Sequence, residues 1–475
     1  MKINSNFLFL FLFLFLFNFC FSLNVEVEIY QTSQYTQDRI TKKTSIYFQP
    51  IDSNLGDTQL ILEPNITHQT IQGFGGSFTE SSAINLFSLS TSVQQQIMES
   101  LFQYLNFSMG RIHINSCDYC ESTYNFDDIS GDYNLTKFNL SNGPDLQTII
   151  PMIKMALNYN PNLKIVGSPW SPPPQYKSNN EMNTSSIPCL IDNITISESW
   201  ALYFSKFIQA YKDEGVDIWG VTVQNQPTQN NTWESCVYSA YQEADFLINH
   251  LGPRLRQDFP DVKIFIHDGN KDTIFDWASL ILSETEVFKY CDGVAFQWYS
   301  GFDFGDVAKV SEYYPEYMLL STEAGSCPMI LNDWGAAEFL AFDMIGDLNS
   351  NSVGWIAWNL ILDMEGGPNH AGNNCTAIYH VDTIAKRVYV QPQFYYIGQL
   401  TKFIWVNSTR IEVNNQGIYT LNLDQVAFQR TDNKIILVVM TSVDYEIDFD
   451  IVYGNYYAKT TISPRTIMTF LFDKF

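Results

Sequence analysis

Two short segments of the chain end in polar side chains that could carry out chemistry. Residues 221–227 are a β-branched run that leads into Asn225, Gln226 and a proline. Residues 318–324 are an apolar run that ends at Glu323. Glycoside hydrolysis uses two carboxyl groups, one as the nucleophile and one as proton donor and then base. The chain presents one such carboxyl group, Glu323, and a carboxamide, Gln226, at the end of the other segment.

The elements that must position these residues follow one repeated pattern from residue 71 onward. A short apolar strand is followed by a loop rich in Gly, Pro, Asn or aromatic residues and then by a helical segment, most clearly at residues 199–211. The strands that we predict are 71–74, 110–114, 163–167, 218–223, 262–266, 293–296, 318–321 and 353–357. Apolar strands at intervals of roughly 25–55 residues, with helices between them, predict an α/β fold, a (β/α)8 TIM barrel over residues 71–404.

The two ends of the chain have a different pattern. Residues 23–70 and 405–475 alternate polar with apolar side chains and are rich in Tyr, Thr, Val and Ile, as in residues 434–440. This alternation predicts antiparallel strands. We expect the two ends to combine into one antiparallel β-sandwich side domain beside the barrel. Because no low-complexity linker separates the parts, we expect the domains to pack firmly.

The first 22 residues have the pattern of a secretory signal peptide. Lys2 precedes a run of Phe and Leu at 7–17, and small residues follow near position 22. The apolar run is too short for a comfortable membrane span. Nine Asn-x-Ser/Thr sequons agree with the secretory pathway and predict a glycoprotein, lysosomal or secreted. They begin at Asn65, Asn106, Asn134, Asn139, Asn183, Asn193, Asn230, Asn374 and Asn407.

The charge of the chain excludes some classes of partner. The net charge is −25, from 51 acidic and 26 basic side chains. Such a surface repels nucleic acid and anionic lipid at neutral pH. Protonation of carboxylates relieves part of this repulsion, so the composition suits an acidic compartment.

Seven cysteines remain after the signal peptide: Cys117, Cys120, Cys189, Cys236, Cys291, Cys327 and Cys375. An odd number leaves at least one thiol unpaired or paired between chains, and the spacing does not define the connectivity. The pair Cys117-x-x-Cys120 could indicate a metal or redox site. Since no second pair or His cluster accompanies it in the sequence, an ordinary structural role is favoured.

The ends of the predicted strands carry aromatic rings, amides and carboxylates. In a TIM barrel the functional residues lie at the carboxyl ends of the strands. Sugar rings stack on indoles, and sugar hydroxyls need planar hydrogen-bonding groups, so this set suits a sugar pocket. The residues at these ends are Gly75-Gly76, Asp118, Trp170, Asn225-Gln226, His267-Asp268, Gln297-Trp298-Tyr299, Glu323 and Trp358-Asn359.

These residues lie in motifs by which the chain resembles the glucosylceramidases of glycoside hydrolase family 30. The motifs are Gly73-Phe74-Gly75-Gly76, Ser116-Cys117-Asp118, Ser168-Pro169-Trp170-Ser171-Pro172, Gln224-Asn225-Gln226-Pro227, Trp298-Tyr299, Thr322-Glu323-Ala324, Trp358-Asn359-Leu360, Glu365-Gly366-Gly367-Pro368-Asn369 and Gln391-Pro392. They occur in order along almost all of the mature chain. The resemblance implies a barrel with a β side domain and hydrolysis of glucosylceramide to glucose and ceramide in sphingolipid catabolism, with no cofactor or metal.

The resemblance also implies roles for single residues. Glu323 falls on the family's nucleophile, and Asn225 falls on the Asn that binds the sugar 2-hydroxyl. The positions that line the sugar pocket are Arg111, Asp118, Trp170, Tyr299, Trp358 and Asn373. The implied partners are a glycolipid or other β-glucoside substrate, a saposin-like lipid-presenting activator and a peripheral membrane contact, without nucleic acid.

Gln226 departs from the family pattern, which has the acid/base glutamate at this position. A carboxamide neither donates nor accepts the proton, and the loss of this assistance is roughly 10²–10⁴-fold per step. Glu234 is the nearest carboxylate in sequence that could substitute. Gly325 is a second departure, because animal enzymes of the family carry Cys there.

Three interpretations follow from these departures. The first is a glucosylceramidase-type retaining β-glucosidase with residual or altered activity. The second is a secreted glucoside-binding pseudoenzyme that does not turn its ligand over. The third, a purely structural glycoprotein, is disfavoured by the intact pocket residues.

Overall fold

The computed structural model describes residues 25–51 and 54–475, so the predicted signal peptide at 1–22 lies outside the described residues. Eight parallel strands form a closed barrel, as predicted. The first strand, Gly73–Ser77, pairs with the last, Ser352–Ala357, which closes the ring. The barrel strands are Gly73–Ser77, Met109–Ile114, Lys164–Pro169, Ile218–Thr222, Lys263–Asn270, Gly293–Gln297, Met318–Ala324 and Ser352–Ala357.

The first barrel strand begins two residues later than predicted. The Ile71 amide donates to Ser408 O and the Gln72 amide donates to Val353 O, so this stretch connects the barrel to the side domain instead of starting the strand. Inside the barrel, a layer of apolar side chains fills the space below the carboxyl ends of the strands. This layer consists of Met109, Val166, Phe265, Ala295, Leu320 and Ile356.

Helices surround the barrel and bury their apolar faces against it. The longest, Ile194–Asp213, buries Trp200, Tyr203, Phe204 and Phe207, the residues with helical spacing in the sequence. The α-helices are Glu80–Phe87, Thr91–Glu99, Ile149–Leu157, Ile194–Asp213, Ala240–Phe246, Gly252–Asp258, Lys271–Leu282, Phe304–Tyr313, Trp334–Asn349 and Pro392–Thr401. Two of them continue into the π-helical turns Ser100–Tyr104 and Leu247–Leu251. Within the part of the chain that is described, no helix is both long and apolar enough to cross a membrane.

Both ends of the described chain contribute strands to a single eleven-stranded sheet, which forms the predicted side domain. Its strands are Glu26–Ser33, Thr41–Lys42, Ile46–Tyr47, Gln49–Pro50, Thr58–Thr70, Thr409–Gly417, Asp424–Gln429, Lys434–Thr441, Ile447–Tyr453, Tyr456–Ile462 and Thr466–Asp473. Leu60, Val439, Ile451 and Phe470 belong to its separate apolar core.

One pairing in this sheet departs from the predicted antiparallel arrangement. Ile447–Tyr453 runs parallel to Thr58–Thr70. Parallel neighbours need a long connection, and the whole barrel lies between these two strands in the chain. A third, small sheet of Ile361–Asp363, Tyr379–Asp382 and Arg387–Val390 follows the last barrel strand and was not predicted.

Candidate active site

The carboxyl ends of the barrel strands open on a pocket of about 430 Å³. A larger cavity of about 580 Å³ lies beside Lys164, Ile218 and Val262, where strands begin. Because barrels of this kind place their chemistry at the carboxyl ends, the smaller pocket is the candidate site. Its lining includes Asp118, Trp170, Asn225, Gln226, Tyr299, Glu323, Trp358 and Asn373, all of which the sequence had singled out.

Glu323 lies near the end of the strand Met318–Ala324 and has a partner on each carboxylate oxygen. Oε1 accepts a hydrogen bond from Tyr299 Oη at 2.8 Å, and Oε2 is in an ion pair with Arg111 Nη1. Burial raises the pKa of Glu323, and the Arg111 guanidinium opposes this rise. The two donors hold the carboxylate in one orientation, with its charge compensated.

Arg111 lies beneath the pocket, fully buried. Its Nη2 donates to Asp268 Oδ2 at 2.8 Å and to Asn225 Oδ1 at 2.8 Å. Its guanidinium carbon is 4.7 Å from the Trp170 ring centroid, close enough for a cation–π contact. Arg111 therefore links the nucleophile candidate Glu323 to Asn225.

Asp268 is a site residue to which the sequence analysis assigned no role. Its carboxylate is buried and accepts from Arg111, from Thr222 Oγ1 at 2.7 Å and from Ser168 Oγ at 3.0 Å. The signal in the sequence was an acidic side chain directly after the apolar strand that ends near His267. The role of Asp268 depends on its contact with Arg111, which comes from another strand. The sequence of a single strand does not reveal this contact.

Gln226 is held rigidly at the pocket wall. Its Nε2 donates to Gln297 Oε1 at 2.9 Å, and its Oε1 accepts from Asn231 Nδ2 at 3.3 Å. The backbone amide donates to Asp268 O at 2.9 Å, and φ is 47°, in the left-handed region that non-glycine residues rarely adopt. Left-handed non-glycine residues cluster at functional sites, where the surrounding structure supports the strain.

Asp118 and Asn373 lie on the pocket wall and bond to each other. Asn373 Nδ2 donates to Asp118 Oδ2 at 2.8 Å. Burial, and then the negative charge of Glu323, raise the pKa of Asp118 to about 7. The pair presents a carboxyl and an amide side by side, a combination that suits adjacent sugar hydroxyls.

Trp170 and Trp358 form an aromatic wall. Their ring centroids are 5.5 Å apart with an interplanar angle of 22°, and both side chains are buried. Gly325 faces this wall, because a Cβ there would lie 2.9 Å from Trp358 Cβ. Any larger residue at 325 would therefore press on Trp358.

Glu234, the carboxylate considered as a substitute acid, is not brought to the pocket. It is buried, its Oε1 accepts from Ser116 Oγ at 2.7 Å, and its Oε2 is 3.2 Å from His370 Nε2. Burial opposes ionisation of Glu234, but the hydrogen bonds from His370 and Ser116 outweigh it and lower its pKa. An ionised side chain in an ion pair is a poor proton donor, so the geometry argues against this substitution.

Two disulfides cross-link loops near the pocket. Cys327–Cys375 joins the loop after the Glu323 strand to the loop that carries Asn373, and both its cysteines line the pocket. Cys189–Cys236 joins two loops further out. Cys117, Cys120 and Cys291 are free and buried, in agreement with the odd count.

Comparison with known proteins gives consistent matches over both domains. The glycosyl hydrolase family 30 TIM-barrel domain model matches residues 71–404, and the family 30 beta sandwich domain model matches residues 407–470. Putative glucosylceramidase 3 of Caenorhabditis elegans is 32% identical over 429 residues, covering 86% of this chain and 80% of that protein.

Two further matches are similarly broad. Lysosomal acid glucosylceramidase of Mus musculus is 29% identical over 461 residues, covering 93% of this chain and 89% of that protein. The solved structure of SrfJ from Salmonella typhimurium superposes with a TM-score of 0.89 at 30% identity, covering 95% of this chain and all of that one.

Proposed function

Since the chain belongs to glycosyl hydrolase family 30, as its two domain matches show, we propose that it is a glucosylceramidase-type retaining β-glucosidase with altered proton transfer. Glu323 is the nucleophile in this proposal, and Gln226 occupies the acid/base position without performing its chemistry. The proposed substrates are β-glucosides, glucosylceramide among them. In this proposal, β-glucosides whose leaving group departs without a proton react fastest.

The position of Glu323 between Arg111 and Tyr299 is the observation on which this proposal rests most heavily. In the first step a carboxylate oxygen of Glu323 forms a bond to the anomeric carbon, and the bond to the aglycone oxygen breaks. The electron pair leaves with the aglycone. A water molecule then attacks the anomeric carbon and displaces Glu323. The proton of this water goes to solvent, and glucose is the product.

The remaining pocket residues fit the recognition of one glucose unit. Asn225 Oδ1 accepts from Arg111 and from Gln297 Nε2, which leaves the Asn225 amide group for the sugar 2-hydroxyl. Asp118 and Asn373 offer an acceptor and donors to hydroxyls further round the ring. Trp170 and Trp358 provide the apolar surface that a sugar ring face covers.

Gln226 determines which leaving groups react. Without a general acid, the aglycone must leave as an anion, and without a base the attacking water is not activated. Each loss is worth roughly 10²–10⁴-fold in rate. An alkoxide of the ceramide type is a poor leaving group, whereas phenolic or other acidic aglycones leave without help.

A glucoside-binding protein without turnover is the second candidate function. The hydrogen bonds that fix the Gln226 carboxamide favour it, because they preserve the shape of the pocket while no group there transfers a proton. Both candidates predict sugar binding. Only the first predicts a covalent intermediate on Glu323.

Labelling with an activated 2-deoxy-2-fluoro-β-glucoside separates the two. We expect stoichiometric mass addition to the peptide that contains Glu323, and none in a Glu323→Gln variant that still binds the sugar. Glu338→Gln, at a buried glutamate of a surrounding helix, is the control that keeps the label. Sugar binding by calorimetry with no label after prolonged incubation would establish the binding protein and contradict the enzyme.

The cellular setting is part of the same proposal. We propose that the protein enters the secretory pathway and acts in the lysosome or outside the cell, on glycolipid presented at a membrane surface or by a saposin-like activator. Seven of the nine sequon asparagines are exposed, which supports glycosylation. Removal of N-glycans should lower the apparent mass of the expressed protein. An unglycosylated protein found in the cytosol would contradict this setting.

A further inference from the structure

Three side chains that can bind metals meet behind the pocket wall. His113, Cys117 and Cys120 are all buried, and their ligand atoms lie within 4.8 Å of one another. The two sulfurs are 3.8 Å apart, and Cys120 Sγ is 3.7 Å from His113 Nε2. The Cys-x-x-Cys pair therefore has the His partner that could not be recognised in the sequence. His113 comes from the barrel strand that precedes the cysteines.

A backbone carbonyl sets the tautomer of His113. Its Nδ1 is 2.6 Å from Asn115 O, and because a carbonyl only accepts, Nδ1 carries the proton. Nε2 is then left without a proton, and it is the ring nitrogen nearer to Cys120 Sγ, at 3.7 Å against 4.0 Å for Nδ1. Metal-binding histidines usually donate their other ring N–H to a carbonyl or carboxylate in this way, which fixes the tautomer.

Backbone amides of the turn that carries the cysteines point to both sulfurs. Residues 117–120 form a turn in which the Cys120 amide donates to Cys117 O at 3.1 Å. The Cys117 amide points to Cys120 Sγ at 3.3 Å, and the Tyr119 amide points to Cys117 Sγ at 3.4 Å. Both sulfurs thus accept from backbone amides of this turn, which fixes their positions beside His113.

We propose that His113, Cys117 and Cys120 bind one Zn²⁺ ion. In tetrahedral zinc coordination, bonds of about 2.3 Å to sulfur and about 2.0 Å to nitrogen place sulfurs about 3.8 Å apart and sulfur and nitrogen about 3.5 Å apart. The 3.8 Å between the two sulfurs agrees with this spacing, and the 3.7 Å between Cys120 Sγ and His113 Nε2 is within about 0.2 Å of it. Two thiolates neutralise the charge of the ion, which suits a buried site.

The fourth position would go to a water molecule, since no other side chain of the described residues joins the cluster. The ion would fix the segment 117–120, which contains Asp118 of the pocket wall. It would thus act on sugar binding by positioning Asp118 and would take no part in bond breaking. This site is independent of whether Gln226 permits turnover.

Metal analysis of protein secreted in zinc-containing medium tests the proposal. We expect about one zinc per chain by mass spectrometry, and X-ray absorption with two sulfur neighbours at about 2.3 Å and nitrogen at about 2.0 Å. The double variant Cys117→Ser/Cys120→Ser should lose at least nine-tenths of the zinc. Cys291→Ser removes a buried thiol outside the cluster and should retain it.

The competing state is a Cys117–Cys120 disulfide, which would require the sulfurs to approach to about 2.05 Å. Alkylation under denaturing conditions distinguishes the states without any variant, so the test survives if the double variant does not fold. Zinc released on unfolding, with both cysteines then alkylated, supports the site. Disulfide-linked peptides, both thiols alkylated in zinc-free protein, or copper in place of zinc would overturn it.

Discussion

At position 226, the orientation of Gln297 explains why a carboxamide fits. Gln297 Nε2 donates to Asp268 O at 3.0 Å and to Asn225 Oδ1 at 2.8 Å. Because a backbone carbonyl can only accept, the Gln297 oxygen must face residue 226, which must then donate. Gln226 does so, and a protonated glutamate would do the same. The hydrogen-bond network around position 226 could therefore hold a general acid. The residue that occupies this position, Gln226, cannot release its proton.

Tyr299→Phe should weaken the nucleophile without disturbing the fold. The change removes the hydrogen bond to Glu323 Oε1, and with it part of the stabilisation of the carboxylate. We expect the rate constant for labelling by the 2-deoxy-2-fluoro glucoside to fall roughly 10- to 100-fold. Sugar affinity should change much less. Tyr313→Phe, at an exposed helical position, is the matched control, and equal labelling rates in both variants would contradict the role of Tyr299.

The sequence predicted the residues that line the pocket better than those that support them. Glu323, Asn225 and Gln226 lie at or just after the carboxyl ends of strands, and strand ends can be located from apolar runs. Asp268 and Gln297 also lie at the carboxyl ends of strands, but their roles depend on partners from other strands and on which way an amide points. Such orientations exist only in the folded protein.

At the level of elements, the loops after the barrel strands are cross-linked around the pocket. Cys327–Cys375 spans 48 residues and Cys189–Cys236 spans 47, so the two bonds should constrain the unfolded chain to the same extent. Only the first lies in the pocket lining, where it ties the loop of Asn373 to the Glu323 strand.

Replacing either disulfide by two serines should therefore have equal effects on stability and unequal effects on binding. Each change should cost about 2–4 kcal/mol, visible as a similar fall in Tm. The Cys327→Ser/Cys375→Ser variant should also bind a glucose-based inhibitor about tenfold more weakly, a loss near 1.4 kcal/mol. Similar affinities in both double variants would show that the loop does not depend on this cross-link.

Element prediction succeeded where one pattern ran for many residues. All eight barrel strands were located because buried parallel strands are continuous apolar runs. The small sheet of Ile361–Asp363, Tyr379–Asp382 and Arg387–Val390 was missed because its strands are three or four residues long, too short to show a period. The parallel neighbour of Thr58–Thr70 was missed because alternation does not specify strand direction.

On the scale of the whole molecule, buried carboxyl groups make the folded state more stable at acidic pH. Burial raises the pKa of Asp145 and of Glu243 to about 7, although tyrosine and tryptophan hydrogen bonds oppose the rise. In the unfolded chain these groups ionise near pH 4. The folded state thus binds more protons than the unfolded state between about pH 4 and 7, and stability falls as the pH rises through this window.

The protein should accordingly have a higher Tm at pH 5 than at pH 8, by about 2–5 °C. The net charge of −25 acts in the same direction, since protonation of surface carboxylates reduces repulsion. Scanning calorimetry at the two pH values measures the effect. The double variant Asp145→Asn/Glu243→Gln should show a smaller difference. A Tm that rises from pH 5 to pH 8 would contradict the raised pKa values of Asp145 and Glu243.

The central claim is that proton transfer at position 226 limits an otherwise complete glycosidase site. The direct measurement compares the protein with Gln226→Glu on glucosylceramide and on 2,4-dinitrophenyl β-glucoside, which needs no acid. We expect the variant to gain roughly 10²–10⁴-fold on glucosylceramide, since the first step regains its acid. The gain on the activated glucoside should be smaller, because only the second step improves.

Two controls sharpen this comparison. Gln229→Glu places a carboxylate elsewhere on the pocket wall and should give no gain. Azide should accelerate the unmutated protein on the activated glucoside, because a small anion attacks the glycosyl-enzyme without a base. Rapid glucosylceramide hydrolysis by the unmutated protein, unchanged by Gln226→Glu and by azide, would contradict the account and require another acid.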